Sequence, residues 1–377
     1  MESKKQFTPH LRRKASTFSQ MREFFLCVVL LWVVSRIYYF IKGGSKYGRQ
    51  VILLGFIGVF FAVIPDVFWN LSVLIKKEAE NLFKEYFYRV VHSYSFVTGL
   101  LLALLSPIGI TWWKLALAAV LSIFVFKLLF GGFGQNILNP AILGCVFLQL
   151  AFTNDRKTYL GEKPEKFDVL TGASLTSQIN SANGFSPIVS KVSFTDILIG
   201  NYRGGIGETF FFVLLIICAY LCIRRIIDWR VPVAYIGSIY LASVLLFLCA
   251  GDGGKAFKDA LSYTLIGGVV FGGVLCLTDP VTSPTSRSGR RRFALFSAFI
   301  TLLIRLFTES PEGVAYSILI ANVFTPFFDK INTGRTNKKA IPVAVNVSLF
   351  VLVLAVSLAY GLRHKIDPST GRFISRR

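Results

Sequence analysis

The fold class is decided by residues 50–75, which read QVILLGFIGVFFAVIPDVFWNLSVLI. Asp66 is the only ionisable side chain in this run. About 20 predominantly apolar residues are enough to cross the hydrocarbon core of a bilayer as a helix. The run therefore predicts a transmembrane helix that carries one carboxylate.

Similar apolar runs recur along the chain of 377 residues, of which 54% are hydrophobic and only 16% are charged. Soluble domains contain about 25% charged residues. We therefore predict an all-α, polytopic integral membrane protein with about 10–11 transmembrane helices. The predicted spans are 23–41, 50–75, 92–109, 111–131, 138–153, 208–223, 231–250, 261–278, 293–308, 314–328 and 341–362, with an interfacial amphipathic helix between Lys76 and Arg89.

These spans divide the chain into five parts. The first apolar run is taken as a retained span, because no small-residue cleavage site follows it as it would in a signal peptide. The parts are a basic N-terminus (1–22), a first membrane half (23–153), a polar loop (154–207), a second membrane half (208–362) and a basic tail (363–377).

The net charge of +21 comes from Lys and Arg in short loops between apolar runs. Cytoplasmic loops of membrane proteins carry this excess, so we discount nucleic-acid binding and predict a cytoplasmic N-terminus in the cell membrane. The loop 154–207 is then extracytoplasmic. Two basic segments, the loop 42–49 and the tail, would lie outside the cytoplasm and so depart from this charge rule. The tail would follow the rule if the run 341–362 were not a full span. The basic loops lie near 76–91, 224–230, 287–292 and 330–339.

The six cysteines all lie in apolar runs, without a CxxC pair or a Cys/His cluster. Their pattern indicates buried small side chains rather than a zinc or iron–sulfur site within this chain. A cluster shared with another subunit stays open.

The polar loop contains a cluster of a carboxylate, a flexible turn and hydroxyls, Asp168-x-x-Thr171-Gly172-Ala173-Ser174. Connecting loops often carry function. The same residue types also build ordinary solvated turns, which local composition alone favours.

A second candidate is the Gly-rich segment Gly131 to Pro140. Glycines permit close approach of a ligand, and Asn136 and Asn139 could present amides to a planar heterocycle. The alternative is a cytoplasmic turn that caps a helix.

Two carboxylates are candidates for ion coupling. Asp66 lies within a span, where an ionisable group costs about 2.5–3.5 kcal/mol on insertion scales and marks function by default. Its alternative is a pairing with Lys127 or Arg36. Glu208 opens the sixth span, where the alternative is a carboxylate favoured by the helix dipole. We predict no catalytic residues, since no nucleophile–base pair or phosphate loop occurs.

Several motifs together resemble the RnfD component of the Rnf electron-transport complex, a relative of the NqrB component of the sodium-pumping NADH:quinone reductase. They follow the family's order from about residue 8 to 330. They are Thr8–Thr17, Phe96–Ala103, Leu129–Ala141, Asp168–Ser174, Gly204–Glu208, Thr278–Val281, Ile304–Phe307 and Pro311–Val314.

The resemblance implies two flavins. In this family a flavin transferase attaches FMN through a phosphoester to the last hydroxyl of the loop motif, which falls on Ser174. Relatives usually have Thr there, and Ser supplies the same hydroxyl; Thr171 and Thr176 are the alternative hydroxyls. Riboflavin is expected near Asn136, Asn139 and Pro140.

The implied function is that of a membrane subunit in an Rnf-type complex. The complex would relay electrons between ferredoxin and NAD⁺ and couple them to Na⁺ or H⁺ movement, and this chain alone would not be active. One alternative is the NqrB component of the quinone reductase, but the N-terminal segment matches RnfD more completely. The other is a non-redox transporter or scaffold without flavins. Relatives usually carry a carboxylate where this chain has His92-Ser93-Tyr94-Ser95, and the run 341–362 lies outside the resemblance.

Overall fold

The computed structural model describes residues 17–75, 82–152, 194–202, 204–251, 254–307, 313–330, 340–366 and 373–375. Helices account for almost all regular structure in these ranges. The prediction of an all-α, polytopic membrane protein is confirmed. One addition was not predicted: strands β1 (His364–Ile366) and β2 (Phe373–Ser375) pair antiparallel in the tail.

Among its described residues, the first half of the chain forms six α-helices and a π-helical turn. They are α1 (Thr17–Gly43), α2 (Ser45–Ile75), α3 (Leu82–Ser93), α4 (Ser95–Leu105), α5 (Trp112–Ile123), the π-helix π1 (Phe124–Leu128) and α6 (Pro140–Ala151).

The second half has a similar set of elements after a short helix, α7. They are α7 (Phe194–Ile199), α8 (Phe211–Ile223), α9 (Arg230–Ala250), α10 (Ala256–Leu265), α11 (Val269–Phe271), the π-helix π2 (Gly272–Cys276), α12 (Arg287–Phe307), α13 (Gly313–Val323), α14 (Thr325–Lys330) and α15 (Ala340–Arg363).

Every predicted apolar run coincides with helix, but the runs differ in length. Among the described residues, five helical stretches are long and apolar enough to cross a membrane, and a pair bent by 65° makes a sixth. They are Thr17–Gly43, Ser45–Ser72, Phe83–Leu105, Arg230–Ala250, Ala344–Arg363 and the bent pair Ala256–Leu265 with Val269–Cys276. The helices α6, α8 and α13 are shorter, and α12 carries several arginines.

Two predicted boundaries need correction. The third span begins near Phe83 rather than 92, because α3, predicted as a separate interfacial helix, leads directly into α4. The last run forms a helix, α15, that is long enough to span the membrane. A shorter last helix therefore cannot account for the departure of the basic tail from the charge rule. The predicted break at Ser106 is confirmed, since α4 ends at Leu105.

The two halves repeat one packing scheme. In the first half α2 packs on α4 and α5, and α5 packs on α6. In the second, α9 packs on α10 and α12, and α12 packs on α13. The halves meet where α6 contacts α13.

The packing in both halves is close. Gly58 of α2 and Gly99 of α4 face each other, and a Cβ on either would collide with the carbonyl oxygen of the other. Small residues at such a crossing allow helix backbones to approach closely in a membrane. Buried side chains from both halves form one apolar core, while Phe56, Phe60 and Phe68 project outward from α2. These exposed rings suit contact with lipid.

Candidate functional site

The motif of the polar loop lies outside the part of the chain that the structure describes. Asp168, Thr171, Gly172, Ala173 and Ser174 lie outside the described residues, as does Thr176. The attachment of FMN to Ser174 therefore stays a prediction.

The Gly-rich segment after π1 is a tight reversal of the chain. Gly131, Gly132 and Gly134 have φ values of 112°, 91° and 93°, which side chains with a Cβ rarely adopt. The amides of Gly131 and Gly132 close the π-helix by donating to the carbonyls of Leu128 and Lys127, both at 3.0 Å. The glycines are therefore required by the turn itself.

Asn139 caps α6 and joins the two halves. Its Oδ1 accepts hydrogen bonds from the amides of Ala141 (3.0 Å) and Ile142 (3.5 Å), and Pro140 occupies the first helical turn. Its Nδ2 donates to the carbonyl of Cys276 in π2 at 3.3 Å. The helix-capping interpretation of this segment is thus correct for Asn139, whose amide oxygen and nitrogen both bond to backbone groups.

Asn136, Asn139 and Pro140 do lie together, at the edge of a small cavity. Its polar lining also includes Lys127 and Asp279. The cavity volume is about 40 Å³, which is room for a few water molecules at most. Cofactor pockets usually measure about 300–1,000 Å³. These residues alone therefore do not enclose an isoalloxazine ring.

Lys127 lies in π1 and is buried beside this cavity. Its Nζ donates hydrogen bonds to the carbonyl of Ser93 and to Oγ of Ser95 (2.7 Å), and it lies 6.0 Å from the centre of the Phe133 ring. Single π-helical turns often occur at functional sites.

The carbonyl of Ser93 is available because the helix breaks at the next residue. Tyr94 is left-handed, with φ 56° and ψ 27°, and separates α3 from α4. The amide of Val97 consequently bonds to the carbonyl of Tyr94 at 3.1 Å. A left-handed conformation at a buried aromatic residue costs of order 1–3 kcal/mol and persists only where its surroundings hold it.

Asp66 is also buried in this region, with 1% of its surface exposed. Neither carboxylate oxygen has a hydrogen-bond partner among the described residues. Asp66 and Asp279 lie within electrostatic range of Lys127, but no ion pair forms with it in this part of the chain, and Arg36 is exposed. Asp66 and Lys127 therefore lie near each other without forming the ion pair that the sequence suggested as an alternative.

Asp279 comes shortly after π2 and, like Asn139, has a proline next in sequence. Its Oδ2 accepts from Oγ1 of Thr282 at 2.9 Å. The loop that follows is held by Asp329, which accepts hydrogen bonds from the amides and hydroxyls of Thr285 and Ser286 at 2.8–3.1 Å. Partial burial acts to raise the pKa of Asp329, but these hydrogen bonds outweigh it and hold the pKa below its ordinary value.

Glu208, the second candidate for ion coupling, lies beside the break between α10 and α11. Its Oε2 accepts from the amide of Gly205 at 3.0 Å. Its Oε1 is so close to Gly268 that a Cβ there would approach it to 2.8 Å. Because α8 begins only at Phe211, Glu208 precedes that helix rather than forming its first turn. Asp66 and Glu208 thus have separate neighbours.

Arg305 was not singled out from the sequence as a site residue. Its Nη1 donates to the carbonyl of Tyr263 (2.9 Å) and its Nη2 to that of Ile266 (2.8 Å), both at the C-terminal end of α10. The guanidinium lies 5.1 Å from the Tyr263 ring centre. Both Arg305 and Lys127 could have been identified from the sequence, because each is a cation inside an apolar run.

Comparison with known proteins gives a consistent result. Residues 4–338 match the model of the family described as NQR2, RnfD, RnfE. The chain is 32% identical over 330 residues to the D subunit of the Na(+)-translocating ferredoxin:NAD(+) oxidoreductase complex of Acetobacterium woodii, covering 87% of this chain and 93% of that protein.

Two further relatives differ in the ion or acceptor in their names. The D subunit of the proton-translocating ferredoxin:NAD(+) oxidoreductase complex of Clostridium ljungdahlii is 33% identical over 241 residues, 63% of this chain and 72% of its own. The B subunit of the Na(+)-translocating NADH-quinone reductase of Chromohalobacter salexigens is 31% identical over 281 residues, 72% of this chain and 64% of its own.

Proposed function

Because this chain belongs to the NQR2, RnfD, RnfE family, we propose that it is the membrane subunit of an Rnf-type ion-translocating ferredoxin:NAD⁺ oxidoreductase complex. The observation that carries the proposal is the match to the Acetobacterium woodii protein, which extends over 93% of that relative. The complete complex is the enzyme. This chain contributes a multi-pass membrane domain in the cell membrane.

The redox part of the proposal is covalent FMN on Ser174. The motif Asp168 to Ser174 supplies the hydroxyl, next to the small residues Gly172 and Ala173. A flavin transferase would form the phosphoester on the extracytoplasmic side, where the charge pattern of the loops predicts residues 154–207 to lie. The bound flavin supplies the electron-transfer chemistry, and the protein supplies its position and potential.

We include bound riboflavin in the proposal only at an interface between this chain and another subunit. The polar edge formed by Asn136, Asn139 and Pro140 offers hydrogen-bonding groups, but the cavity of about 40 Å³ is too small for the ring. A riboflavin at this place would need walls from another subunit of the complex.

Asp66 and Glu208 are the proposed ion-coupling groups. Both are buried carboxylates in a membrane protein, with 1% and 4% of their surface exposed. Buried intramembrane carboxylates usually belong to ion or proton pathways. The relatives' names include both Na⁺ and proton translocation, so either ion fits the proposal.

The second candidate is an NqrB-like component of a Na⁺-translocating NADH:quinone reductase, favoured by the 31% identity to the Chromohalobacter salexigens protein. The partners that copurify with the tagged chain distinguish the two complexes. A flavin-free transporter or scaffold of the same fold is distinguished by the absence of bound flavin.

The decisive experiment is mass spectrometry of peptides from residues 154–207 after co-expression with a flavin transferase. We expect an adduct of FMN mass on Ser174 that disappears in Ser174→Ala and persists in the matched control Ser177→Ala. Loss of the adduct in Thr171→Ala or Thr176→Ala instead would move the site. An unmodified loop, under conditions that flavinylate a relative, would contradict the redox role.

A further inference from the structure

Three exposed cations lie on the short turn between α1 and α2. They are Lys42, at the end of α1, and Lys46 and Arg49, in the first turns of α2. A single residue, Gly44, separates the two helices, and its φ of 79° is one that favours glycine. The turn therefore brings the three cations to one corner of the molecule, which we call the α1–α2 corner.

The α1–α2 corner is tightly packed. A Cβ on Gly48 of α2 would approach the Cβ of Phe40 of α1 to 2.9 Å, so the two helix ends are in close contact. The Nε of Arg49 also donates a hydrogen bond to the carbonyl of Ser45 at 3.3 Å. The backbone that carries the cations is thus fixed, and a ligand that binds there has little ordering cost to offset.

The corner lies on the same side of the molecule as the end of the polar loop. Near the end of α1, the ring of Tyr38 lies 5.1 Å from that of Phe210, and its hydroxyl donates to Oδ1 of Asn201 at 3.5 Å. The other end of α1 is held by the ion pair between Glu23 and Arg224, in a loop that is predicted to be cytoplasmic. Lys and Arg are usually concentrated on the cytoplasmic side, so three exposed cations on the opposite side need a physical reason.

No carboxylate neutralises the corner within the described residues. None of the ion pairs in this part of the chain involves one of its three cations. The sequence has no Asp or Glu between Glu23 and Asp66, and the loop 154–207 carries slightly more cations than carboxylates. The positive charge of the corner is therefore available to an anionic partner.

The surroundings of the corner match the boundary between lipid and water. Ile41, directly before Lys42, has 73% of its surface exposed, and on α2 the exposed side chains of Leu53 and Phe56 follow Arg49. Both helices thus change from outward-facing apolar side chains to cations at their shared end. Lys and Arg at such a boundary cover apolar surface with their stems and hold their charge at the level of the headgroups.

We propose that the α1–α2 corner binds the phosphate headgroups of anionic phospholipids, in the leaflet on the side of the polar loop. Lys and Arg bind phosphate through charge-assisted hydrogen bonds, and the exposed apolar side chains beneath them contact the acyl chains. The interaction needs neither flavin nor electron flow, so it goes beyond the proposed function and does not depend on it.

The test measures which lipids lie next to the corner. The full chain carries a fluorophore at the exposed position Ser45→Cys, and the same labelling without this substitution gives the background from the native cysteines. Nanodiscs of phosphatidylcholine contain a small fraction of spin-labelled phosphatidylglycerol or spin-labelled phosphatidylcholine as quencher. A cation near anionic lipid contributes a factor of about five to association. We expect phosphatidylglycerol to quench at about one fifth, or less, of the mole fraction that phosphatidylcholine requires.

The substitution of all three cations, Lys42→Gln, Lys46→Gln and Arg49→Gln, should abolish this preference. A matched triple variant removes three exposed cations from the opposite face and should retain it. The matched substitutions are Lys84→Gln, Arg287→Gln and Arg291→Gln. In the protein with its native cations, raising the salt from about 0.15 M to about 1 M shortens the screening length from about 8 Å to about 3 Å and should weaken the preference.

Equal quenching by the two lipids would overturn the proposal, as would a preference that the corner variant retains or the matched variant loses. If the corner variant does not fold, the salt series decides, since a preference that is unchanged at about 1 M salt would also overturn the proposal. If the chain shows no lipid preference and the corner variant loses a copurifying subunit, the corner is a protein interface instead. The mass of the loop peptide reports the flavin separately, so failure of lipid binding and failure of the redox role are distinguishable.

Discussion

Replacing Arg305 by methionine should destabilise the protein far more than replacing most surface residues. Methionine matches the aliphatic part of the arginine side chain and is apolar, so the change removes the charge and both donors while retaining the packing of that part. The carbonyls of Tyr263 and Ile266, now bonded at 2.9 and 2.8 Å, would lose these partners inside the membrane domain.

The magnitude follows from these two bonds. Hydrogen bonds to charged groups contribute about 1.5–3 kcal/mol each. Two of them give a loss of about 3–6 kcal/mol. Arg305→Lys should recover part of it, since an ammonium can reach one of the two carbonyls but cannot reproduce the planar pair.

The assay is reversible unfolding of the full chain in mixed micelles of increasing denaturing detergent. The control is Arg224→Met, which removes an exposed guanidinium from its ion pair with Glu23. Exposed ion pairs are screened by solvent, so the control should remain close to the wild type. If Arg305→Met unfolds within about 1 kcal/mol of the control, the closure of the second helix break is not a stabilising interaction and the reasoning fails.

Two further perturbations test the surroundings of the cavity. Asn139→Ala should lower the free energy of unfolding by about 0.5–2 kcal/mol through loss of the helix cap, and further through loss of the bond to Cys276. Asn139→Asp should keep the cap. Both variants are measured with the same unfolding assay. The pKa of Asp329 is held below its ordinary value of 3.8 by Thr285 and Ser286, so its contribution is complete above that value and is lost as the pH falls through the folded pKa. Asp329→Asn should therefore flatten the decline in unfolding temperature below about pH 4, and an unchanged acid limb would contradict this assignment.

Much of the membrane architecture could be predicted from apolar length alone. The run 50–75 is helical to its end, and Ser106-Pro107 ends α4 because proline and its preceding residue disfavour continuation of a helix. Hydropathy could not separate full-length helices from short or bent ones, since α6 and α8 are as apolar as the longer spans. The three-residue strands of the tail carry too little pattern to be recognised.

The helix breaks show where local sequence stops being informative. Gly267 and Gly268 mark the second break, because glycine tolerates the conformations that a bend needs. Tyr94 carries no such mark: nothing near it distinguishes a left-handed tyrosine from a helical one. Its conformation depends on contacts made with π1, 32–34 residues further along the chain. Asp66 could be identified from the cost of burying a charge. The bonds of Lys127 to Ser93 and Ser95 could not be predicted, because these residues are distant in sequence.

The left-handed Tyr94 has a consequence for the shape of the protein. Without a bond to Lys127, the carbonyl of Ser93 could accept the amide of Val97, and the stretch Phe83–Leu105 would become one uninterrupted rod. The rod would recover the conformational energy stored at Tyr94, on the order of 1–3 kcal/mol. The break in this helix is thus stabilised by a side chain on another element, so that loss of the Lys127 ammonium would favour a continuous helix.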